Sequence, residues 1–168
     1  MRRAAVRGAL CVALAAAVCA GDPAGADPVA EQTALRNWLE CEECWDGELK
    51  AVVALGDAVV PSLAATLRGG MSPAARARLS RQLAERYDAR VAWAETHPET
   101  RPTLTREEYV AHHVGNRDAL YKVRAVRALG AIGTPKALLA LREELGRTEH
   151  EGIREEIRRV FGAARRPS

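Results

Sequence analysis

The strongest constraint on this chain is a repeat inside it. Residues 49 to 68, LKAVVALGDAVVPSLAATLR, align with residues 123 to 142, VRAVRALGAIGTPKALLALR, at a constant offset of 74 positions. Ala51 meets Ala125, Val52 meets Val126, Leu55-Gly56 meets Leu129-Gly130, Pro61 meets Pro135, and Leu67-Arg68 meets Leu141-Arg142. A glycine and a proline rarely fall into register together with an apolar face by chance. Each copy reads as a helix, a turn at or near glycine, and a second helix with proline near its start, where the missing N–H leaves no bond unmade. The stretch GIREEIRRVFGAA, 152 to 164, begins a degenerate third copy with Phe161-Gly162 in place of Leu-Gly. One such hairpin cannot bury its apolar side alone, so neighbouring copies are expected to stack.

The remainder of the chain also reads as helix, with no strand pattern. Asp27-Pro28 is an N-cap followed by proline, and Ala30, Ala34, Trp38 and Cys41 then step by four and three along one helical face, which runs to about Cys44. Asp46 caps a second helix carrying Leu49, Val52, Val53 and Leu55, and a third ends at Gly69-Gly70. Ser72-Pro73 opens a long helix through Leu79, Leu83, Tyr87 and Val91, and the prolines of THPETRPT, 96 to 103, mark a loop. Thr105 with Glu108 forms a capping box. The helix it starts is expected to stop at Gly115-Asn116, and the period resumes at Leu120, Val123, Val126 and Leu129. With one Phe, three Tyr and three Trp, the core must come mainly from Leu, Val and Ala.

The two aligned blocks resemble HEAT repeats, in particular the short type called phycobilisome-lyase HEAT-like. In that family a helix of small and aliphatic residues ends in Leu-Gly and a proline opens the next, which matches Leu55, Gly56 and Pro61 in one copy and Leu129, Gly130 and Pro135 in the other. The resemblance implies an all-α fold, a short right-handed stack of antiparallel helix hairpins forming a HEAT-like α-solenoid. It covers clear units at 48–70 and 120–146 and a partial one at 150–165, while 72–119 departs from it as an irregular insert. It further implies a scaffolding or binding role toward a protein partner, and it does not imply lyase chemistry.

The N-terminus reads as an export signal. Arg2, Arg3 and Arg7 precede the apolar run GALCVALAAAVCA, and Ala24 and Ala26 supply a cleavage pattern, so residues 1–26 are expected to be removed and 27–168 to form the helical domain. The apolar run is shorter than the roughly 18 to 20 residues of a spanning helix, which argues against an integral membrane span. Val18 is not the small residue that a lipoprotein signal wants before its cysteine, which argues against a lipid anchor at Cys19. Loss of the leader takes Arg2, Arg3, Arg7 and Asp22 with it, so the net charge of +3 falls to near +1. A nucleic-acid binder would carry a basic excess, and none remains. The expected location is the periplasm or the medium.

Cys41 and Cys44, in WLECEECWDGEL, would be the mature chain's only cysteines. In an oxidising compartment the spacing suits a disulfide that fixes a corner between two helices. Two alternatives use the same pair. A thiol-disulfide redox accessory needs a lowered thiol pKa, but the expected helix C-terminus and the acidic Glu40, Glu42, Glu43 and Asp46 oppose a thiolate. A metal-binding protein needs two further ligands from His97, His112, His113 or His150. His112 and His113 are adjacent and so point about 100° apart on a helix. Haem attachment is excluded because Trp45 follows the second cysteine. Trp38, Trp45 and Trp93 are expected in core or corner packing, and the mixed charges of REEIRRV, 154 to 160, on a solvated helix. No catalytic constellation and no cofactor motif is found, so the expectation is a binding module and not an enzyme.

Overall fold

The computed structural model describes residues 28–41 and 46–163. The leader read from the sequence, with its cleavage site and Cys19, lies outside them, as do Cys44, Trp45 and residues 164–168. Among the described residues the chain forms seven α-helices and no strand. They are α1 (Pro28–Glu40), α2 (Asp46–Ala54), α3 (Val60–Gly69), α4 (Pro73–Ala94), α5 (Arg106–Ile132), α6 (Pro135–Leu145) and α7 (Glu151–Ala163), with short 3-10 turns at Gly56–Ala58 and Pro98–Thr100.

Helix α5 organises the rest. At 27 residues it is about 40 Å long, and it touches α1, α2, α3, α4, α6 and α7. Its C-terminal half buries Tyr121, Arg124, Ala125, Val126, Ala128 and Leu129, while its N-terminal half buries only Val114. That N-terminal half lies antiparallel to α4, as the Arg76–Asp118 and Arg106–Asp88 ion pairs at the two ends of the contact require. The innermost large side chains among the described residues are Val52, Val59, Leu63, Leu67, Val126, Leu129, Leu141, Ile153 and Ile157. Removing each from water contributes about 1.5–3 kcal/mol before the entropy cost of ordering it.

Burial agrees between the two aligned blocks at three pairs of positions and differs at others, Ala51 and Ala54 being exposed where Ala125 and Ala128 are buried. Val52 and Val126, Leu63 and Ala137, and Leu67 and Leu141 are each 74 apart in sequence, and all six are buried. Two helix starts follow the caps read from the sequence, while α2 begins at Asp46 itself and Asp27 lies outside the described residues. The Ser72 hydroxyl accepts from Ala75 N at 3.2 Å, and the Thr105–Glu108 capping box is complete in both directions. Pro61 and Pro135 sit in the first turns of α3 and α6, both exposed.

Two boundaries differ from the sequence reading. Helix α5 runs without a break through Gly115-Asn116. A mid-helix glycine costs only about 1 kcal/mol relative to alanine, and the helix is held on both sides of it. Val114 is buried ahead of it, and Asp118 behind it accepts from Met71 N at 2.9 Å and from Arg76 Nη2 at 2.5 Å. Gly130, in turn, does not end its helix. A Cβ there would lie 2.8 Å from both γ carbons of Val160, so the missing side chain lets α7 approach α5. The helix stops at Gly133, whose φ of 65° is the left-handed cap geometry that suits glycine. In the first copy Gly56 itself takes the left-handed turn at φ 57°. The left-handed turn therefore falls three positions later in the second copy than in the first.

Helix α1 ends at Glu40, earlier than the periodicity suggested. Helix α7 is also less solvated than its mixed charges implied. Ile153, Glu156 and Ile157 turn inward, and Glu156 accepts from Arg127 Nε at 2.8 Å and from Arg159 Nη1.

Candidate functional site

The cysteine corner begins where α1 meets α4 and α5. Trp38 is buried, and its indole Nε1 donates to the Arg124 carbonyl oxygen at 3.1 Å. The Arg124 side chain returns across the same junction, with Nη1 donating to the Leu39 carbonyl at 2.8 Å and Cζ 5.9 Å from the Trp38 ring centre. Arg124 thus supplies a donor to the otherwise unsatisfied C-terminal carbonyls of α1, and its charge suits the negative end of that helix. Only 6% of Arg124 is exposed. Burial, followed by the neighbouring Arg117 charge, lowers its guanidinium pKa.

Glu40 completes the junction. Its two oxygens accept from Arg78 Nη2 at 2.8 and 2.9 Å. It also accepts from the Tyr121 hydroxyl, whose pKa is pushed up to about 12, first by burial and then by the Glu40 charge and hydrogen bond. Cys41 follows directly, with Sγ 3.2 Å from the Trp38 carbonyl oxygen. Cys44 lies outside the described residues, so the Cys41–Cys44 pairing lies outside them too. The sequence marked the cysteines, Trp38 and the acidity of Glu40 but missed Arg124, Arg78 and Tyr121 and the pairing of Glu40 with the last two. An arginine inside an apolar stripe, between Val123 and Ala125, was the available signal.

The histidines are dispersed. His97 stacks on Trp93 with ring centres 3.9 Å apart, His113 packs edge-on against Tyr109 at 4.3 Å, and His112 Nε2 lies 3.1 Å from Asn116 Nδ2. His150 sits at the start of α7, where its Nδ1 accepts from Ile153 N at 3.4 Å. Among the described residues no three of His, Cys, Asp and Glu converge as metal ligands. Trp93 is 58% exposed and not in the core. It stands at the end of α4, stacked on His97 of the loop that follows.

The α4–α5 arm carries an apolar hollow of about 550 Å³. Ala84, Val110, Ala111 and Val114 line it with Ser80, and Arg76, Arg81, Arg106 and Glu107 bring the charge. Arg76 is held by Asp118 and Arg106 by Asp88. Arg81 and Glu107 are exposed and form no ion pair among the described residues. The sequence reading set this segment, 72–119, aside as irregular and so missed the groove.

Comparison with family models, curated proteins and solved structures finds no match. Among the described residues no single helix is long and apolar enough to cross a membrane.

Proposed function

We propose that the chain is an exported HEAT-like helical-repeat module that binds or scaffolds another protein in the periplasm or the medium. The observation that carries this reading is the contact between the two copies, beginning with their turns. Thr134 Oγ1 donates to Asp57 Oδ1 at 2.5 Å, and Lys136 Nζ donates to the Asp57 carbonyl at 3.2 Å. Helix α2 meets α5 and α3 meets α6, like against like, and α7 then meets α5 and α6. The first copy departs from an antiparallel hairpin, since α2 and the segment Gly56–Gly69 that holds α3 meet at 89° and α3 packs mainly on α5, so the support comes from the contacts between the copies. The outward residues of α7, among them Glu151, Glu155, Arg158 and Arg159, are charged and exposed. The N-terminal sequence supports export. The reading is of binding and not of catalysis.

Within it, Cys41 and Cys44 form a disulfide that closes the corner after α1. Support comes from their spacing and from the position of Cys41 just past a helix C-terminus, where the dipole disfavours the thiolate that redox work needs. The test is affinity capture of the tagged chain from the periplasmic fraction, with mass analysis of alkylated protein before and after reduction. Reproducible retention of one partner and a bridge that resists glutathione are expected. Repeated failure to retain any protein would overturn the binding role, and two freely alkylated cysteines would overturn the staple.

A further inference from the structure

We propose that the α4–α5 groove is a self-association face, through which two copies pack arm to arm about a two-fold axis with Arg81 of each meeting Glu107 of the other. The arm is short of buried surface. Of the 22 residues of α4 only Ala75, Leu83 and Ala94 are buried, and the helix makes its main contacts with α5 and the 3-10 turn at Pro98–Thr100. A second arm laid across it would turn two helices into four around a shared apolar seam.

The charges favour a second copy as the occupant. Asp118 and Asp88 already hold Arg76 and Arg106, so the lining charges outside an ion pair are Arg81, on α4, and Glu107, next to Arg106 in the first turn of α5. One is positive, the other negative, and they stand on different helices beside the Ala84, Val110, Ala111 and Val114 floor. A face must be self-complementary to pair with itself about a two-fold axis, and one unpaired charge of each sign meets that condition. A uniformly acidic or basic partner would satisfy one of the two and oppose the other. This face lies outside the aligned repeat units and does not rest on the scaffold reading, so either can fail alone.

The experiment is sedimentation equilibrium of the purified chain, run on wild type, Arg81→Glu, Glu107→Arg, the double variant, and an equimolar mixture of the two single variants. Helical content by circular dichroism checks each for folding. Wild type is expected to be dimeric, each single variant to dimerise about tenfold or more weakly, and the double variant to recover dimerisation. The mixture is expected to form heterodimers, because the chain with two acidic groups at these positions then faces the chain with two basic ones. A wild type that stays monomeric at its highest soluble concentration would overturn the proposal. So would single variants that dimerise as tightly as wild type, or a mixture that fails to associate.

Discussion

The same substitution at two glycines of α5 should change stability in opposite directions. Gly115 and Gly130 are both inside the helix, so replacing either with alanine removes a backbone-entropy penalty of about 0.8–1 kcal/mol. At Gly115 nothing lies within 4 Å of the added Cβ, so that gain stands alone. At Gly130 the new carbon would sit 2.8 Å from both Val160 γ carbons, against an optimal carbon separation of about 3.5–4.0 Å. Valine is stiff at χ1 and cannot swing both methyls away, so α7 must shift. Overpacking of this kind costs about 1–3 kcal/mol. The propensity gain cancels in the comparison, which leaves Gly130→Ala about 1–3 kcal/mol less stable than Gly115→Ala. Urea unfolding at fixed pH measures it. In thermal melts Gly115→Ala should gain roughly 2–4 °C, since each kcal/mol shifts Tm by about that much in a domain near this size. Adding Val160→Ala to Gly130→Ala opens the space and should return most of the overpacking cost, a coupling that a double-mutant cycle isolates. If Gly130→Ala stabilises as much as Gly115→Ala, α7 does not pack where described and the role assigned to the repeat glycine is wrong.

The α1 junction gives two further tests. Arg124→Met keeps the bulk but strips the Leu39 carbonyl of its donor, and should cost about 1.5–3 kcal/mol with a changed Trp38 near-ultraviolet signal; a loss below about 0.5 kcal/mol would show that the buried guanidinium does not hold α1. Tyr121 is neutral in the fold up to a pKa of about 12, against 10.0 for the free side chain, so its contribution is complete below about pH 10 and is lost as the pH rises toward 12. Stability of wild type should therefore fall more steeply than that of Tyr121→Phe across this window, and equal slopes would refute the Tyr121–Glu40 contact.

Secondary structure was legible wherever one local rule dominated. Ser72, Thr105, Pro61 and Pro135 placed their helix starts because capping and proline chemistry act within one turn. The failures share a cause, which is contact between residues far apart in the chain. Gly115 reads as a stop in isolation, yet the bonds of Asp118 to the Met71 backbone and to Arg76, more than forty positions away, hold the helix through it. Gly130 reads as an ending because its reason for being glycine is Val160. Glu156 reads as solvated because its partner Arg127 stands on another helix.

The candidate sites divide along the same line. Cysteine spacing drew attention to the α1 corner, but the groups that tie the corner down, Arg124, Arg78 and Tyr121, come from α4 and α5. They arrive there through the antiparallel pairing of those helices, which no local pattern encodes. The arm is the reverse case. Its sequence breaks the repeat, and the structure shows what the break produces: a 22-residue helix with three buried positions, beside a groove whose two unpaired charges differ in sign. Helices α2, α3, α5 and α6 pack on one another, and Val52, Leu67, Val126 and Leu141 are each at most 1% exposed. The arm does not reach that state within one chain. Apolar surface left with matched charges at its edge is what an association face requires. The departure from the repeat is thus the part of the sequence that carries the proposed association face.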